Sequence, residues 1–136
     1  LLKQLVIGSI VIAITVAIHA EMFNILSHRF EDLMLAARHR IKRFANTGVL
    51  MISVLYILFV LTIEVWLWAV VLLLTGAQTE IEPAVYFALV AFTTVGFGDI
   101  VLTHEWRLLS ALIAANGFIL FGWSVAYMVE LVRKTA

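Results

Sequence analysis

The chain has 136 residues, 64% hydrophobic and only 13% charged, and its nine Lys and Arg offset its nine Asp and Glu to a formal net charge of zero. Soluble domains carry roughly 45–50% apolar and about 25% charged residues, so this composition, with a mean hydropathy of +1.09, excludes a soluble domain and reads as an all-α integral membrane protein. The length holds three spanning helices and a half-span segment but no large soluble domain besides; the lack of cysteine removes disulfides and thiolate metal sites.

The first apolar stretch, residues 5–23, is long enough to cross about 30 Å of hydrocarbon at about 1.5 Å per residue. It has neither a basic cluster before it nor a small-residue cleavage site after it, which predicts a retained helix over residues 1–23 rather than a signal peptide. Gly8, Ser9, Ala13 and Ala17 form a small-residue stripe suited to close approach. That stripe predicts a helix at the lipid-facing periphery, packed on the second span.

Residues 24–47 follow with Phe23, Leu26, Phe30, Leu33 and Ala37 at alternating spacings of three and four, continued more loosely by Ile41 and Phe44. The opposite face is basic. The plainest reading is an amphipathic cytoplasmic helix joining two spans, with Arg38, Arg40, Lys42 and Arg43 placed to meet anionic lipid headgroups. Asn46-Thr47-Gly48 is the natural break before the next span.

The second span, residues 49–74 of a helix predicted over 49–75, stops at Gly76, a residue type favoured just past a helix end. Glu64 is its one acidic residue. A carboxyl inside a span needs a partner at its own depth, and counting from Gly48 puts Glu64 roughly 24 Å above the basic end. His19, near the inner end of the first span, is at the wrong depth, so Lys3 or Arg107 is the expected partner in an intramembrane ion pair. The remaining histidines, His28, His39 and His104, show no metal-ligand spacing with it or each other.

Pro83, the sole proline, sits where a new helix would begin, and Glu82 precedes it at the positive end of that helix's dipole. About eleven residues, 83–93, are too few to cross the membrane and enough to enter halfway. The loop Thr93-Thr94-Val95-Gly96-Phe97-Gly98-Asp99 comes next. Its two glycines reach positive φ without steric cost, which lets consecutive carbonyls face one axis, as an ion pathway that replaces hydration with backbone oxygens requires. Non-helical backbone at that depth is tolerated only where protein packs it or it lines a pathway. The third span, 108–131, opens with the interfacial pair Trp106-Arg107 and contains Asn116, a polar residue that should face protein or a cavity.

Seven of the nine basic residues fall between the first two spans or after the third, which makes that side cytoplasmic and leaves the N-terminus outside, in a cell membrane. The outer segment then carries Glu80, Glu82, Asp99 and Glu105. No helix repeats Arg or Lys every third residue, so there is no voltage-sensor pattern. No phosphate loop, dinucleotide fingerprint or catalytic triad appears, and the short basic run beside a span is a poor nucleic-acid site. The chain reads as a non-enzyme without an organic cofactor.

Thr94-Val95-Gly96-Phe97-Gly98-Asp99 closely resembles the filter signature of tetrameric potassium channels, in its Phe variant, and the resemblance extends over residues 48–132. It implies a pore domain over 48–136, with an outer helix 49–75, a pore helix 83–93, a selectivity filter 94–99 and an inner helix 107–131, one quarter of a homotetrameric pore. It implies K⁺ held by carbonyls of Thr94, Val95, Gly96 and Phe97 and the Thr94 hydroxyl, with Gly98 completing the filter and Thr93, Asp99, Tyr86 and Phe87 supporting it. Gly117 falls where the family's inner-helix hinge lies, and Gly122 at a second small position. Val90 stands where several members carry a glutamate that holds the filter Asp, leaving Asp99 to find another partner, such as the Tyr86 hydroxyl. A nonselective cation channel of the same fold and a non-conducting accessory subunit are the rival readings.

Overall fold

The structure, a computed structural model, describes residues 1–40 and 42–135. It is all helical: α1 spans Leu2–Arg40, α2 Ala45–Thr75, α3 Ile81–Phe92 and α4 Arg107–Thr135. Among them α1, α2 and α4 are long and apolar enough to cross a membrane, so the chain is an integral membrane protein; α3 is only 12 residues long.

The first helix differs from expectation. In place of a span over 1–23 and a separate helix over 24–47, the chain runs as one helix of 39 residues, about 58 Å long at about 1.5 Å per residue. Between Gly8 and its end at Arg40 it contains neither Gly nor Pro to break it. Its buried face is Gln4, Gly8, Val11, Thr15, His19, Phe23, Leu26, Phe30 and Met34, spaced by three and four without interruption. The amphipathic stripe is therefore a continuation of the span's own inner face. Leu33 and Ala37 pack against that core, Ile41 lies outside the described residues, and Phe44 is 59% exposed.

The small-residue stripe also resolves differently. Ser9, Ala13 and Ala17 are exposed, and only Gly8 faces inward, where a Cβ would stand 2.4 Å from Leu112 Cδ1 of α4. The packing face is polar instead. Gln4 Oε1 accepts from the Leu109 N–H (3.0 Å), Thr15 pairs with Asn116 (2.9 Å), and His19 contacts Glu64 and Ser124. These partners advance together along α1 and α4, so the two helices are parallel; His19 to Glu64 and Met22 to Tyr56 run in opposite senses, so α2 is antiparallel to α1.

α2 ends at Gly76, whose φ of 79° is the left-handed cap and whose N–H bonds Leu73 O. α3 then packs between α2 and α4, with Glu80 extended as N-cap and Pro83 in the first turn, where its missing N–H has no partner to lose. Along the spans Ser53, Thr75 and Ser124 donate to carbonyls one turn back, so their hydroxyls are satisfied without leaving the helix. At the opposite end from α3, Asn46 Nδ2 donates to Thr135 O (3.0 Å), tying the start of α2 to the end of α4. The last turn of α1, with Arg38 and Arg40, is followed directly by Lys42 and Arg43 and the start of α2, while Arg133 and Lys134 end α4. One end of the bundle is therefore basic. The other holds α3, the loop and Glu80, Glu82, Asp99 and Glu105.

Gly117 on α4 lies against the end of α3. A Cβ there would meet Phe92 O at 1.8 Å and Phe92 C at 2.6 Å, backbone atoms that have no rotamer to change. Gly122, by contrast, has nothing within 4 Å in this chain. Gly117→Ala is expected to push α3 and α4 apart at an overpacking cost of about 1–3 kcal/mol, lowering the thermal midpoint of the detergent-solubilised protein. Gly122→Ala should leave that midpoint in place.

Candidate functional site

The loop that follows α3 is built from its C-terminus outward. Thr93 caps the helix, its N–H and hydroxyl both bonding Leu89 O (3.0 and 2.8 Å), and Thr94 N–H reaches Ala91 O (3.0 Å). Gly96 N–H folds back to Val90 O (3.2 Å). These bonds fasten the first half of the loop to the helix it leaves.

Within the loop φ is +62° at Thr94, +59° at Gly96 and +79° at Gly98, while Val95 and Phe97 do not enter the positive region. The sign of φ thus alternates over five residues. Such alternation turns successive peptide planes so that neighbouring carbonyls share one side of the strand, whereas an ordinary extended strand sends them to opposite sides. The glycines adopt this at no steric cost. Thr94 does not: a β-branched residue at positive φ is an outlier, a strain on the order of 1–3 kcal/mol of the kind that clusters at functional sites. Sequence reasoning located the glycines, but nothing in the type of residue 94 signals its left-handed backbone.

On the outer side of the loop, Tyr86 donates its hydroxyl to Asp99 Oδ2 at 2.6 Å, and Asp99 Oδ1 accepts the Ile100 N–H at 3.1 Å. Both oxygens of a carboxylate that lacks the glutamate partner are thereby used. The bond to Asp99 also raises the Tyr86 pKa above its ordinary value, so the phenol stays a donor across the physiological range. Phe87, the second expected support, is buried behind the loop. It lines a cavity of about 490 Å³ with Val90, Thr94, Gly96, Gly98 and Ala111. Val95 (53%) and Phe97 (71%) point away from their own chain.

The other expected site residues fall elsewhere. Glu64 is paired, but with His19: Nδ1 stands 2.8 Å from Oε1, and both residues are 0% exposed. Lys3 and Arg107 are not its partners. Lys3 instead reaches Glu105 (3.9 Å) over the ring of Trp106 (4.4 Å), and Arg107 is exposed beside the cavity. The expected mismatch in depth is absent because α1 does not end near Phe23; His19 sits at the middle of a longer helix, level with Glu64. Among the described residues no group of three His, Cys, Asp or Glu is arranged to hold a metal.

The chemistry available at the loop is electrostatic and passive: carbonyl oxygens, a threonine hydroxyl and an acidic rim. If Tyr86 acts only through Asp99, Tyr86→Phe and Asp99→Asn should impair ion flux to similar extents, and the double variant should be no worse than either single. Additive losses measured in reconstituted liposomes would show that the two side chains act separately.

Residues 57–134, more than half of the chain and containing α3, the loop and α4, match the family described as ion channel. No curated protein and no solved structure matches the chain. That match takes in α2 from Ile57 onward, the half-length helix, the loop of alternating handedness and nearly all of α4, and the chain belongs to the ion channel family.

Proposed function

We propose that this chain is one subunit of a K⁺-selective channel, in which four copies surround an axis lined by the loops and pass K⁺ down its electrochemical gradient without a chemical step. The observation that carries this reading is the alternating φ of residues 94–98 at the C-terminus of a half-length helix. Carbonyls of Thr94, Val95, Gly96 and Phe97, with the Thr94 hydroxyl, form the rings that replace a potassium ion's hydration. The partial negative charge at the end of α3 favours a cation on the same axis.

One loop cannot enclose an ion, and closed cyclic symmetry supplies the remaining copies. The exposure of Val95 and Phe97 supports this count of more than one, since large apolar side chains beside an ion pathway need a neighbour to cover them. Orientation follows the charge asymmetry: the basic end is cytoplasmic and the loop end outside. At the basic end Arg38, Arg40, Lys42 and Arg43 meet anionic headgroups, and at the loop end Glu80, Glu82, Asp99 and Glu105 concentrate cations at the outer mouth. The rim effect is screened over about 8 Å at physiological ionic strength, so neutralising Glu80 and Glu105 should lower inward conductance mainly at low salt.

The direct test is flux into liposomes under K⁺ and under Na⁺ gradients. Gly98→Ala places a side chain on a backbone at φ +79° where no atom lies within 4 Å, so the variant strains the backbone without crowding a neighbour. K⁺ flux is expected to collapse. Unchanged flux with unchanged preference for K⁺ over Na⁺ would sink the assignment, and equal flux of the two ions in the unaltered chain would leave a nonselective pore.

A further inference from the structure

His19 and Glu64 are the two ionisable side chains buried among the described residues, and they touch each other. His19 Nε2 also lies 3.3 Å from Ser124 Oγ, so α1, α2 and α4 meet at one point. The groups around that point are otherwise neutral. On α1, Thr15 and Phe23 flank His19 one turn away on either side, with Phe23 4.1 Å from it ring to ring. On α2, Trp68 lies one turn beyond Glu64, and the Tyr56 phenol donates to Met22 O. On α4, Asn116 bonds Thr15, the Trp123 ring is 4.9 Å from His19, and the Tyr127 phenol meets Ser27 at 2.6 Å. The ionisable groups of α3, Glu82 and Tyr86, belong to the loop end.

Hydrogen-bond accounting locates a proton. Ser124 donates its own hydrogen to Leu120 O at 2.7 Å, so its oxygen presents a lone pair to Nε2, and Nε2 carries a hydrogen. The short Nδ1 to Oε1 contact then needs one proton between the two atoms, whether imidazole or carboxyl holds it. In either case the pair is neutral overall. Removing that proton sets a nitrogen lone pair against a carboxylate and leaves a net charge buried in the membrane, where it is expensive.

Glu64 has somewhere else to go. Its Oε2 has no hydrogen-bond partner, and neither has the indole N–H of Trp68, four residues along α2, the separation at which helix side chains are neighbours. A carboxylate released by His19 therefore finds a donor on its own helix. The contact holding α2 to α1 is replaceable within α2.

We infer that His19, Glu64 and Ser124 form a proton-binding site that latches α1 to α2 and α4. With its proton the site fixes the His19 ring between Glu64 and Ser124; without it Glu64 turns to Trp68, the ring loses the partner that orients its Nε2–H, the bond to Ser124 weakens, and the stretch of α4 beyond Ser124 is loosened from α1. This rests on the reading of α4 as the helix lining the pore. Loosening of that stretch opens that end, so conduction rises as the site loses its proton on alkalinisation.

The test is K⁺ flux through the full chain in liposomes, with equal pH on both sides, across about pH 5 to 8, the range in which histidine changes charge. Flux is expected to rise roughly tenfold, the ratio that a one-unit difference in proton affinity between latched and released states produces. Glu64→Gln and His19→Gln, which keep hydrogen-bonding capacity but not the titration, should give flat profiles. Ser124→Ala keeps both titrating groups and removes the link to α4, so its flux at the acid end should reach the alkaline level of the unaltered chain. Infrared difference spectra between acid and alkaline samples supply a readout independent of conduction, in which a change of carboxyl or carboxylate bands should vanish in Glu64→Gln. A wild-type pH profile in Glu64→Gln or Ser124→Ala, flux that falls with rising pH, or no carboxyl or carboxylate change assignable to Glu64 would overturn the proposal. Absence of K⁺ flux at every pH with that change present would instead count against the pore reading while leaving the proton site in place.

Discussion

A polar atom inside hydrocarbon has no water to turn to, so each must find its partner within the protein. That constraint organises the whole chain. It makes the three spans helices throughout, turns their serines and threonines back onto carbonyls of the preceding turn, and draws Gln4, Thr15 and His19 of α1 onto matching groups of α2 and α4. It also makes the loop after α3 exceptional. Backbone there forgoes helical bonding, and its first half is held by three N–H groups that return to carbonyls of α3. What remains unbonded is available to a cation.

The close approach of Gly117 to Phe92 sets where this loop begins. Because α4 brings its backbone against the last carbonyl of α3, the end of the half-length helix is fixed relative to a full span rather than floating on the apolar packing of α2. Asn116, the residue before, is bonded to Thr15 of α1. α1 is thus two contacts from the loop: Thr15 to Asn116, and the adjoining glycine to Phe92.

Much of this was legible in the sequence, for identifiable reasons. The single proline, the eleven-residue segment it opens and the paired glycines mark a half-span helix and a loop because each residue type has a narrow backbone preference. The asymmetry of Lys and Arg was legible because it is a count. The end of the first helix was not: apolarity stops near Phe23, but hydrogen bonding continues wherever no Gly or Pro interrupts it, and α1 runs on to Arg40. The partner of Glu64 was hidden for the same reason, since α1 continues past Phe23 and so carries His19 at the level of Glu64. A signal for the correct face was present in the spacing of Gln4, Gly8, Thr15, His19 and Phe23, which share one side of a helix. Small residues outweighed polar ones in choosing the packing face, and in this chain the polar ones define it. The left-handed Thr94 had no signal of its own, because its conformation is imposed by the glycines beyond it and the helix cap before it.

The polar face of α1 has a consequence for how the protein is made. His19 must wait for a carboxyl 45 residues downstream, and Thr15 and Gln4 for partners 101 and 105 residues away. At about 5–20 residues per second during synthesis, α1 enters the membrane several seconds before α4 exists. The first pairing open to it is with Glu64, so an α1–α2 hairpin forms first and presents Gln4 and Thr15 as an unfinished docking strip. α4 then arrives to a template already cut for it, and the half-length helix, emerging between the two, is inserted against α2 and closed in from the other side. The N-terminal helix, which among the described residues makes no contact with α3, is in this sense the scaffold on which the last helix is registered.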